Sequence, residues 1–221
     1  MNKKLILASN SPRRRQLFAL GNWEFNVIGA DVDETPLANE TPAEYVLRLA
    51  QAKALAIKDK AESDAVIIGS DTTVVDGDVI LGKPVNAQDA EGMLKQLRGR
   101  THQVYTGLAL HRMRDGKTLT EFSVTDVPMR NYSDDEIRAY IKTGDPLDKA
   151  GAYAIQHSEF LPVASMQGCY ASVMGLPMCH VLRALQKFNI APTADVPAAC
   201  QSLLNYQCPV SSAILSGERV S

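Results

Sequence analysis

The 221-residue sequence predicts an α/β fold in which one extended mixed sheet carries flanking helices. Three observations lead there. Apolar runs of strand length mix with helical stretches along most of the chain. One run, "DAVIIGSDTTVV" at 64–75, is apolar enough to be a strand buried on both faces. Two capping boxes, "TPAE" at 41–44 and "SDDE" at 133–136, mark helix starts between the strands. No internal repeat or low-complexity tract divides the chain, which favours one sheet over two independent domains.

The elements follow in order. "KLILAS" at 4–9 is a short apolar strand. Ser11 caps a helix with Pro12 at its first position, where the missing N–H costs nothing. That helix runs to about Leu20 and stops at Gly21. "WEFNVIGADVDET" at 23–35 reads as a strand and an acidic loop. A helix then runs through "YVLRLAQAKALAI" to Ile57. After the buried strand, "DG" at 76–77 signals a hairpin into "DVIL". Asn86 caps a helix that Gly99 ends. "HQVYTGLALH" and "EFSVTDVPMR" pair as strands across "RDGK", and the helix capped by Ser133 ends near Gly144. "DPLDKAGAYAIQ" at 145–156 is a loop of small residues, leading to "EFLPVA" and "CYASVMG". A last strong helix begins at Pro177. Residues 1–191 are read as one domain and 192–221 as a C-terminal tail, with a short helix near "ACQSLLNY" and no charged chemistry.

Composition bounds the function. A net charge of −2 gives no electrostatic case for binding nucleic acid or a membrane surface. The N-terminal "LILA" is shorter than a signal peptide's apolar core of about 7–15 residues. No stretch approaches the ~20 apolar residues of a membrane span. Cys169, Cys179, Cys200 and Cys208 form no C-x-x-C and no zinc-like spacing, so free thiols and a cytoplasmic location are expected. His102, His111, His157 and His180 show no ligand spacing and read as surface or packing residues.

Several side chains stand out against that background. Arg13, Arg14 and Arg15 crowd a helix start, where the macrodipole favours anions. Arg13 shares the helix's apolar stripe with Leu17 and Leu20, Arg15 points elsewhere and Arg14 lies between. Lys53 sits inside the apolar stripe Val46, Leu49, Ala50, Ile57, so it either snorkels outward or faces an internal anion. "GDVILGKP" at 77–84 resembles a P-loop only superficially: it lies in a hairpin and ends in Pro84, with no hydroxyl for magnesium. Its Lys83 is still a candidate phosphate contact. Asp71, in "GSDTT", is read as ending the apolar buried strand, where small residues leave room for a ligand; it could hold a divalent metal or activate a water, and Asp33 and Glu34 are candidates for a second carboxylate. Arginines, two unusual lysines and acids at strand or loop ends suit a nucleoside triphosphate with Mg²⁺.

These residues carry a resemblance. "LILASNSPRRRQL", "VDET", "RLAQAKA", "IGSDTTVV", "LGKP", "LRGRTHQVYTGLAL", "DPLDKAGAYAIQ" and "VMGLP" resemble, in order and spacing, the Maf family of nucleoside triphosphate pyrophosphatases. The resemblance implies a Maf/Ham1 (ITPase-like) fold with two lobes around a cleft, usually as a homodimer. It implies hydrolysis between the α and β phosphates with Mg²⁺ or a similar ion such as Mn²⁺. It makes Asp71 the general base, Glu34 a residue near the metal, and Ser9, Arg13, Lys53 and Lys83 substrate contacts, with Arg14 beside Arg13 expected to share that role. Arg13, Thr72 and Gln156 resemble the branch acting on dTTP and UTP rather than the one acting on 7-methyl-GTP. A Gln amide offers both a donor and an acceptor to the uracil or thymine edge. A regulator of cell division or septum formation with little turnover is the alternative of another class. His157 departs from the family's usual glycine after "IQ", which puts the base pocket in question.

Overall fold

In the computed structural model, which describes residues 4–218, a six-stranded sheet forms the frame. Strand β1 (Leu5–Leu7) lies parallel between β2 (Phe25–Val27) and β3 (Val66–Asp76). The other edge of β3 runs antiparallel to β5 (Thr101–Arg112), and β5 to β6 (Lys117–Pro128). Short β4 (Val79–Leu81) folds back on β3 through a turn at Gly77 and Asp78, one residue later than the sequence suggests. Gly77 takes the left-handed φ of 62° that such a turn needs.

The pairing of β3 leaves a gap. β5 covers it from Val66 to Val75. On the opposite edge, β1 reaches only residues 66–68 and β4 only residues 74–76. Residues 69–73 therefore have no strand neighbour on that side among the described residues. The cause lies in the β1–α1 turn: the chain leaves the sheet at Ser9, and Ser11 and Pro12 start α1 (Pro12–Phe18). Ser11 accepts from the Arg14 backbone N–H, as an N-cap should.

Side-chain alternation divides β3 between two faces. Ile67, with Ile6 and Ala109, packs under helix α2 (Pro42–Leu55). Val66, Ile68 and Val74 join the main core on the other face. α2 begins with the expected capping box between Thr41 and Glu44, and it presses very closely on the sheet. A Cβ on Gly69 would stand 2.1 Å from the Ala50 carbonyl oxygen, and one on Gly107 would stand 2.3 Å from that of Val46. Only glycine permits that approach.

The main-core face carries α3 (Ala87–Leu97), α4 (Asp134–Lys142), the short α5 (Tyr170–Val173) and α6 (Met178–Gln186). Between α4 and α5, Asp145–Asp148 and Ala150–Ala152 form short 3₁₀ turns. "EFLPVA" contributes only one bridge, Val163 to Met129, and "CYASV" turns into α5. The tail folds as α7 (Val196–Leu204) and α8 (Ser211–Leu215), the latter unread in the sequence. It packs on the body. Val196 and Ile214 are buried, and the Tyr206 hydroxyl bonds the carbonyls of Met166 (3.2 Å) and Gly168 (2.9 Å). Body residues Cys169 and Cys179 and tail residues Cys200 and Cys208 line one small cavity of about 20 Å³, all as free thiols. Burial pushes Cys169 up to about 11 and Cys179 and Cys200 up to about 12. No helix among the described residues is long and apolar enough to cross a membrane.

Candidate active site

A cavity of about 450 Å³ opens at the gap in β3. Because residues 69–73 lack a neighbour there, both faces of the strand are reached from one opening. Asp71 lies in the middle of β3 rather than at its end, because pairing with β5 carries the strand on to Asp76; it points to the α2 face and Thr72 to the opposite face, following the alternation of Gly69 and Val74. Ser9, Arg13 and Arg14 arrive from the β1–α1 turn, Glu34 from the loop after β2, and Lys53 from α2. Lys83 follows β4, and Gln156 also lines the cavity. All the candidates named from the sequence except Asp33 line this cavity. Asp33 instead accepts from the Thr35 backbone N–H and stays outside.

On the α2 face, Lys53 makes two ion pairs. Its ammonium lies 2.5 Å from Asp71 Oδ1 and 2.6 Å from Glu34 Oε1. Lys53 and Asp71 are buried, so the lysine faces an internal acid rather than snorkelling to water. Lys83 is exposed, with Nζ 3.9 Å from Glu34 Oε2. The N-terminal half of α2 holds the Glu34 loop. The Tyr45 hydroxyl donates to the Glu34 carbonyl (2.8 Å), and Arg48 bonds Glu40 and the Thr35 carbonyl. Burial would raise the Glu34 carboxyl, but the Lys53 hydrogen bond and the charges of Lys53, Lys83 and Arg14 outweigh it, holding it below its ordinary value. Burial, then the charges of Asp71 and Glu34, pushes the Tyr45 hydroxyl up to about 12.

On the opposite face, the guanidinium of Arg14 is the organised one. Its Nε donates to the Gly175 carbonyl (2.8 Å) and its Nη2 to Thr72 Oγ1 (3.2 Å). Arg13, on the apolar stripe, does line the cavity, but the long Arg14 side chain reaches partners that helical spacing cannot reveal. Arg15 is exposed, as its position implies. Burial draws Arg14 down from its ordinary value, with Asp71 opposing, and it remains a cation.

Sequence reasoning missed four contributors. Gly175 takes a φ of 110° and presents its carbonyl to both Arg14 and Ser70. Ser70 is fully buried. Thr106 lies beneath Thr72. Lys149 is buried on the cavity wall between Asp145 and Asp148, and the acids around it in "DPLDK" were the available signal. His157, the departure from the family pattern, does not line the cavity. Its Nδ1 accepts from the Phe160 N–H (3.0 Å), and its ring packs edge-on against Tyr140.

The donor set bears on a metal. Glu34 and Asp71 converge on one ammonium, so two carboxylates aim at one small volume. No three His, Cys, Asp or Glu side chains among the described residues are grouped to hold a metal ion. Two carboxylates suit a hard cation that keeps its waters and arrives with a polyphosphate, as magnesium does. They do not form a complete cage.

The chain is similar to known proteins over most of its length. A protein of Geotalea uraniireducens, named dTTP/UTP pyrophosphatase, is 47% identical over 186 residues, covering 84% of this chain and 95% of that one. One of Bacillus cytotoxicus with the same name is 44% identical over 187 residues, 85% of this chain and 96% of that one. Among solved structures, the Staphylococcus aureus Ham1 protein superposes with a TM-score of 0.42 at 19% identity, over 58% of this chain and 73% of that one. The Maf-like protein family matches residues 4–188, from β1 through α6 and including every residue around the cavity, and the chain belongs to that family.

Proposed function

We propose that the protein hydrolyses dTTP and UTP to the nucleoside monophosphate and pyrophosphate. The carrying observation is that Lys53, Asp71 and Glu34 meet Arg14 and Thr72 in one cavity at the gap in β3, in a chain so similar to proteins named dTTP/UTP pyrophosphatases. Lys53, Lys83, Arg13 and Arg14 neutralise the triphosphate, with Ser9 beside them in the β1–α1 turn. An ammonium has three donors. Two of those on Lys53 are taken by carboxylates, and the third is available to a phosphate oxygen. Asp71 accepts a proton from the attacking water as its oxygen bonds to the α-phosphorus. The bond to the bridging oxygen breaks and pyrophosphate leaves. Glu34 and Asp71 would hold a divalent ion, Mg²⁺ or Mn²⁺, which supplies positive charge to the phosphate oxygens. Thr72 and Gln156 meet the base.

Purified protein with Mg²⁺ and a panel of UTP, dTTP, CTP and 7-methyl-GTP, scored for released pyrophosphate, tests this reading. Turnover of UTP and dTTP above the others is expected. Preference for 7-methyl-GTP overturns the substrate, and binding without release overturns the reaction. The reading carries with it the homodimer and cytoplasmic location that the sequence suggests, the former checked by light scattering.

A further inference from the structure

We propose that Thr106 is a positioning residue for base selection: buried beneath the cavity, it fixes the Thr72 hydroxyl as a hydrogen-bond acceptor toward the base. This rests on the dTTP/UTP reading above.

The direction of the Thr72–Thr106 bond follows from the protons available. Thr72 and Thr106 are cross-strand partners in the β3–β5 ladder, and their hydroxyl oxygens lie 3.0 Å apart. Thr106 Oγ1 also lies 2.8 Å from the Ser172 carbonyl oxygen. A carbonyl only accepts, so the single Thr106 proton goes there. Thr106 is completely buried, and no solvent can take over that role. The proton in the Thr72–Thr106 bond must therefore come from Thr72. Arg14 Nη2 donates to the same Thr72 oxygen from 3.2 Å. Thr72 has then spent its only proton and one lone pair, and the remaining lone pair is what it can offer the cavity it lines. Ser172 is itself fixed: its hydroxyl donates to the Cys169 carbonyl (2.7 Å) and pairs with Thr125 Oγ1 (2.7 Å).

An acceptor of fixed sign discriminates between pyrimidines. Uracil and thymine carry an N3–H donor between two carbonyls, and cytosine carries a bare N3 acceptor there. Gln156 cannot make that distinction alone, because its amide offers a donor and an acceptor and can turn to suit either base. Thr72 can make it, because Thr106 and Arg14 take away its freedom to donate.

The test compares wild type with Thr106→Val, which keeps the side-chain shape without the hydroxyl, and Thr106→Ser, which keeps the hydroxyl. Each is assayed for pyrophosphate release and for equilibrium binding of UTP and CTP, with thermal melts to verify folding. Thr106→Val is expected to lower the UTP-over-CTP ratio of kcat/KM about tenfold, chiefly through KM, since Thr72 regains a proton to donate. Thr106→Ser is expected to retain the wild-type ratio. An unchanged ratio in Thr106→Val, or an equal loss on both nucleotides, overturns the proposal. If Thr106→Val does not fold, Thr106→Ala is read by the same criterion. Wild-type protein that binds nucleotide without hydrolysing it defeats the hydrolase reading, while the ratio of dissociation constants still decides the role of Thr106.

Discussion

The Lys53 ammonium lies 2.5 Å from Asp71 Oδ1 in the buried heart of the cavity, and a helix and a strand eighteen residues apart are held in register by that contact. A second carboxylate, Glu34, shares the same ammonium. Lys53 is the cation that both carboxylates contact directly, with the exposed Lys83 only 3.9 Å from Glu34 at the rim.

Removing that lysine is expected to be costly twice. Lys53→Met leaves Asp71 buried beside Glu34 with no cation between them. Breaking such a pair should destabilise the fold by about 3 kcal/mol. Urea unfolding at pH 7 measures this, and a loss below about 1 kcal/mol would show that Asp71 finds another partner. Pyrophosphate release should fall at least a hundredfold in the same variant, on the order expected when a charge contact to a transferring phosphoryl group is lost.

Asp71→Asn separates chemistry from folding. The amide is isosteric and still accepts a bond from Lys53, so the melting temperature should move little. Turnover should be abolished while nucleotide binding persists. Wild-type rates in Asp71→Asn would move the proton acceptor elsewhere.

Gly69→Ala tests how α2 positions Lys53. The added methyl meets backbone rather than a pliable side chain: the Ala50 oxygen at 2.1 Å and the Ala54 nitrogen at 2.8 Å. α2 must move away from the sheet, at a cost of about 1–3 kcal/mol. Activity should drop further than stability alone explains, because Lys53 moves with the helix. Full activity in a folded Gly69→Ala protein would show that the close approach is not needed.

Acid should loosen the fold through two buried histidines, neither of which lines the cavity. Burial lowers both His102 and His180 to about 4, with their Nδ1 atoms unpartnered. The unfolded chain binds these protons near pH 6.5, the native protein only near pH 4. Their contribution is therefore complete above about pH 6.5 and is lost as pH falls toward 4. Between pH 7 and 5 the loss should be about 2 kcal/mol for each histidine. Denaturant unfolding at the two values checks it, and a flat profile would mean that one or both rings accept a proton inside the fold.

Much of this arrangement is legible in the sequence, for local reasons. Capping at Ser11, Thr41, Asn86 and Ser133 sets helix starts within a few residues. Lys53 stands out because a helical stripe is a local pattern, and a charge inside it demands a partner. What stayed hidden depends on distance along the chain. Arg14 is distinguished from Arg13 by Gly175 and Thr72, 161 and 58 residues away. Thr106 matters only because strand register sets it against Thr72 and α5 lays the Ser172 carbonyl over it. The tail gave little hydrophobic periodicity, yet it docks through Tyr206, Val196 and Ile214 onto surfaces that only the folded body presents.

The gap in β3 amounts to stability left unclaimed. A β1 strand five residues longer would pair with residues 69–73, complete the ladder and yield a sturdier sheet with nowhere for a ligand to enter. By turning away at Ser9, the chain leaves the middle of its most buried strand as an inlet, so binding capacity here is a product of interrupted secondary structure. Substitutions that lengthen β1 toward Ser11 would accordingly select for robustness at the expense of the cavity.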